Sequence, residues 1–245
     1  MVALSCHELL RVWEAGHGSP PYRRALLLLS ASSDNEKVED LASLNIGCRD
    51  ARLLALREEL FGQDLLCLAQ CPACGERLEF SLTTNKLQAA AGETLPRELQ
   101  VDAGEYTVVF RLPTSQDLMA LEGQYTDTSS LQSQLLRRCL LGAQCGNEKT
   151  AFADLPNQVI EEVIARMESA DPAADIQLAL TCPGCAHRWQ ALFDIVAYLW
   201  HEIHTWAIRM IREVHLLAST YGWHEADILA MSPQRRNLYL ELIGT

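Results

Sequence analysis

Apolar residues at the start of the chain recur every third or fourth position, the spacing of a helix with one buried face. That spacing predicts a helix from Leu4 to Glu14, broken by the glycines and prolines between residues 16 and 21. Tyr22 to Ala31 is apolar almost throughout and reads as a largely buried helix, followed by a polar loop from Ser32 to Lys37. After Ile46-Gly47, the stretch Arg49 to Phe61 carries Leu53, Leu54, Leu56, Leu60 and Phe61, and Gly62 is placed to cap it. The pattern is read as helical to about residue 70.

Beyond that the period shortens. Arg77 to Leu82 alternates like a strand, and Glu98–Asp102 with Glu105–Leu112 flank Ala103-Gly104 as a hairpin would. Helices follow over roughly 116–123, from Ser129 to Leu141 and from Pro156 to Glu168, then a strand from Asp175 to Thr181. In the tail, Val196, Leu199, Ile203, Trp206, Met210, Val214 and Leu217 step by three or four, giving one long amphipathic helix from Leu192 to Ala218. Glu225–Met231 and Pro233–Leu242 make two short helices. No internal repeat is expected.

The strongest chemical signal is a pair of motifs, Cys71-Pro-Ala-Cys74 and Cys182-Pro-Gly-Cys185. Each can present two thiolates on one tight turn, and four thiolates make the closed tetrahedral set that zinc favours in structural roles. Between Cys74 and Cys182 lie 107 residues, so one shared ion makes the middle of the chain an insertion pinned at its base. A redox disulfide at one pair, or two unrelated pairs, are the rival readings. A redox pair usually opens a helix after a buried strand, whereas strand-like segments, Arg77–Leu82 and His187–Phe193, follow both pairs here. The expectation is one structural Zn2+ held by Cys71, Cys74, Cys182 and Cys185.

These patterns give an α+β fold: helical N-terminal and C-terminal segments around a small α+β insertion closed by a zinc-ribbon-like site of four cysteines. The expected divisions are a helical region over 1–70, a zinc-ribbon-like region with its long insertion over 71–193, and a helical region over 194–245.

Charge narrows the function. The 245-residue chain has 20 basic and 32 acidic side chains, a net charge of −12. Nucleic-acid binding draws its affinity from neutralised phosphates, so this balance opposes such a role, although a zinc-ribbon nucleic-acid-binding or regulatory adaptor stays as an alternative. No membrane span is expected, and the first residues lack the basic and apolar parts of a secretory signal. Nine cysteines without such a signal point to a reducing, cytoplasmic setting.

Catalytic patterns are missing from the sequence. His201-Glu202-Ile203-His204 has histidines three apart, one short of the zinc-protease spacing, and packed or solvated helix histidines explain them better. His187 is left outside the ligand set, because four cysteines complete it. Asp171, Asp175 and Asp194 form no recognisable arrangement. Trp200, Trp206, Met210 and Leu217 make a stripe that is either helix core or a docking face for another subunit, since Trp and Met are enriched at interfaces.

Several stretches resemble a known family: Trp13-Glu14 with Arg24-Ala25-Leu26, Gly47-Cys-Arg-Asp-Ala-Arg52, Leu60-Phe61-Gly62, Cys71-Pro-x-Cys-Gly75 and Phe110-Arg-Leu-Pro-Thr-Ser115. The ending from Glu213 through Tyr221-Gly-Trp223 to Tyr239-Leu-Glu-Leu242 adds to them. They are similar to the baseplate and tail-assembly proteins of contractile phage tails and phage-tail-like injection systems, such as myophage baseplate hub or hub-assembly proteins. The resemblance implies a non-enzymatic structural or assembly role among other baseplate or tail proteins, in a large symmetric particle, with no catalytic residues to carry over. A Cys-x-x-Cys redox protein remains the second alternative.

Overall fold

The computed structural model describes residues 4–88, 97–124 and 127–244. The first three residues, part of the stretch read for a signal sequence, lie outside them. The chain forms two compact units, Met1–Glu36 with Ile195–Thr245, and Lys37–Asp194. Among the described residues no helix is long and apolar enough to cross a membrane.

The first unit is all helical: α1 (Cys6–Gly16), α2 (Pro21–Ser32), α9 (Ile195–Tyr221), α10 (Glu225–Leu229) and α11 (Pro233–Gly244). α1 starts on a reciprocal cap in which Ser5 Oγ accepts from the Glu8 N–H while the Glu8 carboxylate accepts from the Ser5 N–H. Its buried face, Leu9, Leu10 and Val12, belongs to the same unit as Ala25, Leu28 and Leu29 of α2 and Leu199, Ile203 and Ala207 of α9. Gly16 ends α1 where Trp200 packs closely: a Cβ there would stand 2.3 Å from the Trp200 ring. The Arg24 guanidinium lies 4.7 Å from the centre of the same ring and donates to the Gly16 carbonyl. Arg236 of α11 is buried and donates to Glu213 of α9 at 2.7 Å and to the Met231 carbonyl.

This packing places the expected docking stripe. Trp200, Met210 and Leu217 are 7%, 1% and 0% exposed, and Met210 sits in a cluster with Leu10, Ala207 and Leu229. Trp206 is half-buried beside that cluster. Three of the four residues are therefore core of their own unit, because α1, α2, α10 and α11 all contact α9. Of the stripe, Trp206 keeps an accessible side chain.

The second unit holds α3 (Val38–Ala42), α4 (Ile46–Phe61), β1 (Asp64–Gln70), β2 (Arg77–Thr83) and α5 (Thr84–Gln88). It continues with β3 (Leu99–Ala103), β4 (Tyr106–Phe110), α6 (Ser115–Leu121), α7 (Thr128–Cys139), β5 (Leu140–Cys145) and β6 (Glu148–Lys149). α8 (Asn157–Ala170), β7 (Ile176–Thr181) and β8 (Arg188–Phe193) complete it. β3–β6 form a four-stranded antiparallel sheet, whose Val108 and Phe110 pack with Leu136 of α7 and Val159 and Val163 of α8. β1–β2 and β7–β8 are separate two-stranded antiparallel hairpins.

Two elements differ from expectation. Residues 64–70 are a strand, not the end of a helical region, because Leu65, Cys67 and Ala69 alternate inward while Leu66 and Leu68 point out. The helix expected to run from Ser129 to Leu141 ends at Cys139, since the chain turns extended at Leu140, which pairs with Phe110. The compact units also divide at residue 36, where the sequence pattern suggested 70. α3 and α4 belong with the insertion because Asn45 bridges Thr114 and the Ile46 N–H donates to the Pro113 carbonyl at 3.1 Å.

A buried polar knot fixes that junction. Asp171 Oδ2 accepts from Asn45 Nδ2 at 2.6 Å and from the Gly47 N–H at 3.0 Å. Arg49 donates to Asp50 and to Ser115. Asp117 caps α6 by accepting from Thr114 and takes a two-pronged bond from Arg111 at 2.6 and 2.7 Å. Asp171, one of the scattered carboxylates of the sequence, thus joins Gly47 and Asn45 across 124 and 126 positions.

Candidate metal centre

Each cysteine pair sits at the tip of a hairpin, and the two tips have the same construction. The Cys71 N–H donates to the Glu76 carbonyl and the Gly75 N–H to the Cys71 carbonyl, both at 2.9 Å. The Cys182 N–H donates to the His187 carbonyl and the Ala186 N–H to the Cys182 carbonyl, also at 2.9 Å. Turning the chain back so tightly requires a left-handed residue after the second cysteine. Gly75 adopts φ 77° and Ala186 φ 58°. Register runs cleanly away from each tip, from Gln70↔Arg77 to Asp64↔Thr83 and from Thr181↔Arg188 to Ile176↔Phe193.

The tips bring all four expected ligands together. The sulfurs of Cys71, Cys74, Cys182 and Cys185 all lie within 4.8 Å of one another. Cys71 Sγ is 3.7 Å from Cys185 Sγ, and Cys74 Sγ is 3.6 Å from Cys182 Sγ. Exchanging one hairpin for the other maps the first contact onto the second, so the site has an approximate two-fold arrangement. Burial follows it: Cys71 and Cys182 are buried, and Cys74 and Cys185 exposed. Four sulfurs about 2.3 Å from a central ion at tetrahedral angles would stand about 3.8 Å apart, close to the cross-hairpin contacts.

Crowding of the sulfurs governs their protonation. Burial pushes the Cys71 thiol up, but the N–H groups of Cys74 and Ala73 and the neighbouring thiols of Cys185 and Cys74 bring it down to about 7. At Cys74 the Glu76 N–H draws the thiol down, yet the Cys185 and Cys182 sulfurs and burial push it up to about 12. Cys185 is also raised: the His187 N–H and Cys74 lower it, and burial with the Cys182 and Cys71 sulfurs outweighs them. Four thiolates this close repel one another, and a soft dication in their midst removes that obstacle. The donor set, its number and its spacing fit zinc.

Other candidates fall outside the quartet. Among the described residues, these four cysteines are the group of three or more His, Cys, Asp or Glu ligand atoms close enough to hold a metal. The His187 ring is nearly parallel to that of Trp189, with centroids 6.1 Å apart and planes 14° apart. His204 Nδ1 accepts from the Trp13 indole at 3.1 Å, which ties it to helix packing, and His201 is exposed. Among the described residues the remaining cysteines, Cys6, Cys48, Cys67, Cys139 and Cys145, form no disulfide.

Sequence reasoning, which expected no internal repeat, missed that the hairpins are copies. Cys71 and Cys182, Cys74 and Cys185, Pro72 and Pro183, Arg77 and Arg188, and Asp64 and Asp175 all pair at one constant offset of 111 positions. That offset was the available signal.

A protein-family model described as T4 bacteriophage base plate protein matches residues 26–200. The match takes in the whole second unit and all four clustered cysteines. Comparison with curated proteins and with solved structures finds no match.

Proposed function

The chain belongs to the T4 bacteriophage base plate protein family, and from that premise we propose a non-enzymatic structural or assembly role in the baseplate of a contractile tail or injection system. One structural zinc at Cys71, Cys74, Cys182 and Cys185 holds the second unit together. Its partners are other baseplate or tail proteins, and its place is the assembled particle, reached from the cytoplasm where the particle is built. The observation that carries the reading is the gathering of four sulfurs from two hairpins that stand 111 positions apart. A site closed by four protein sulfurs has no position for substrate, so the ion acts as a fastener.

Metal and fold are coupled in such a site. Ligand deprotonation, ion binding and docking of the hairpin tips share one free energy, so removing a ligand loosens what the ion joins. That favours a part which must keep its shape within a larger assembly. A reactive Cys-x-x-Cys pair is disfavoured by the same geometry, because each sulfur has its near neighbour on the opposite hairpin.

Two measurements test the proposal. Mass spectrometry of purified particles against cell lysate should find the chain enriched in particles, or in an assembly intermediate if it leaves before completion. Replacing Cys71 or Cys182 by serine should release the metal and lower particle yield together. Normal particle yield from cells lacking the chain would remove the baseplate role.

A further inference from the structure

The two hairpins are one local plan written twice, residues 64–83 and 175–194. Each copy is therefore a control for the other: what the hairpin and its sulfurs require should appear in both. The inward positions obey this. Cys67, Ala69, Leu78 and Phe80 in the first copy correspond to Leu178, Leu180, Trp189 and Ala191 in the second, apolar in both.

The outward faces do not match. On the first hairpin Leu66 stands opposite Ser81 and Leu68 opposite Glu79. Their counterparts are Gln177 opposite Leu192 and Ala179 opposite Gln190. Each copy thus carries one exposed leucine on the first of these rungs. The first copy alone adds a second, Leu68, which at 72% is the most exposed large apolar side chain among the described residues, beside Leu66 at 66%. Charge differs too. Exposed Glu76 and Glu79 replace the second copy's His187 and Gln190, while Asp64 and Arg77 have the same residue types as their counterparts. The hairpin plan does not demand two adjacent leucines among carboxylates, since the second copy folds without them.

We infer that the outward face of the β1–β2 hairpin docks a different polypeptide, one presenting an apolar depression rimmed by lysine or arginine. The inference rests on the baseplate reading and names the surface through which the chain joins its neighbours. Two adjacent exposed leucines form an anchor for such a depression. On the same face stand Asp64, Glu79 and Arg77, and Glu79, which the second copy lacks, tips the balance toward the acidic side and complements a basic rim. A second copy of this chain is the poorer fit, because a two-fold contact would set these carboxylates against their own kind in a chain of net charge −12.

The test writes the second hairpin's residues into the first. Leu66→Gln with Leu68→Ala should retain zinc and the unfolding midpoint, and Leu68→Ala alone decides the question if the double variant loses either. In cells lacking the native chain, the variant should restore roughly tenfold fewer particles than wild type, as loss of an interface anchor predicts, and Leu192→Ala should restore them fully. A photo-crosslinking residue at position 68 should join a lysine- or arginine-bearing segment of another polypeptide. Full particle yield from a zinc-loaded variant overturns the docking face and leaves the baseplate reading standing, as does a crosslinked dimer of this chain. Normal particle yield without any copy of the chain instead removes the baseplate reading itself.

Discussion

Gly47→Ala separates the tertiary account from simple helix propensity, because the two predict opposite signs. Gly47 lies in the first turn of α4, where alanine would ordinarily favour the helix by about 1 kcal/mol. Here its Cβ would stand 1.8 Å from Asp171 Oδ1, 2.7 Å from Asp171 Cγ and 3.0 Å from Ala173 Cβ. Asp171 is buried, so making room means moving its carboxylate off the Asn45 and Gly47 donors. A hydrogen bond to a charged group contributes roughly 1.5–3 kcal/mol, so losing both and regaining the propensity leaves about 2–5 kcal/mol of destabilisation. Hydrogen exchange over residues 45–62 and 171–181, with urea unfolding, reads it out. At about 2 kcal/mol per molar urea, the midpoint should fall by roughly 1–2.5 M. In an Asp171→Ala background the cost should shrink to near zero, because the propensity gain then offsets the remaining Ala173 contact. A neutral or stabilising Gly47→Ala, or an equal cost with and without Asp171, would refute the reasoning.

Other outcomes follow from the same contacts. At Asp117 burial pushes the carboxyl up, but Arg111 and the Thr114 donors overcome it and bring it down to about 2. The folded value lies below the unfolded one, so its stabilisation is present above about pH 4 and lost as pH falls toward 2; Asp117→Asn should flatten that part of the stability–pH curve. Arg236→Ala leaves Glu213 without its buried partner and should cost about 3 kcal/mol, seen as faster exchange across residues 233–244. Ala186→Gly relieves a left-handed alanine and should stabilise the metal-loaded protein by about 0.5–1 kcal/mol in thermal unfolding, while Gly75→Ala should cost a similar amount.

Local signals in the sequence carried much of this architecture. Apolar spacing located α1, α2, α4, α8 and α9 to within a few residues, and the alternation at Arg77–Leu82 located β2. The repeated Cys-Pro-x-Cys located the four clustered sulfurs because the two turns read alike. What stayed hidden depends on distant partners. The alternation over residues 64–70 is masked by outward Leu66 and Leu68, which make β1 look uniformly apolar and hence helical. Asp171 means nothing until folding sets it against Gly47. The division at residue 36 rests on Asn45 and Ile46, at the start of α4, pairing with Thr114 and Pro113, and on Gln116 donating to the Glu39 carbonyl of α3, choices that helix periodicity does not encode. The stripe of Trp200, Met210 and Leu217 was legible as an apolar face, but its cover of α1, α2, α10 and α11 was not.

X-ray absorption at the zinc edge, on reduced full-length protein with its metal content counted, addresses the fastener directly. The account predicts one zinc per chain with four sulfur neighbours at about 2.3 Å. Metal-free protein with an intact fold, or an ion coordinated by nitrogen and oxygen, would contradict it.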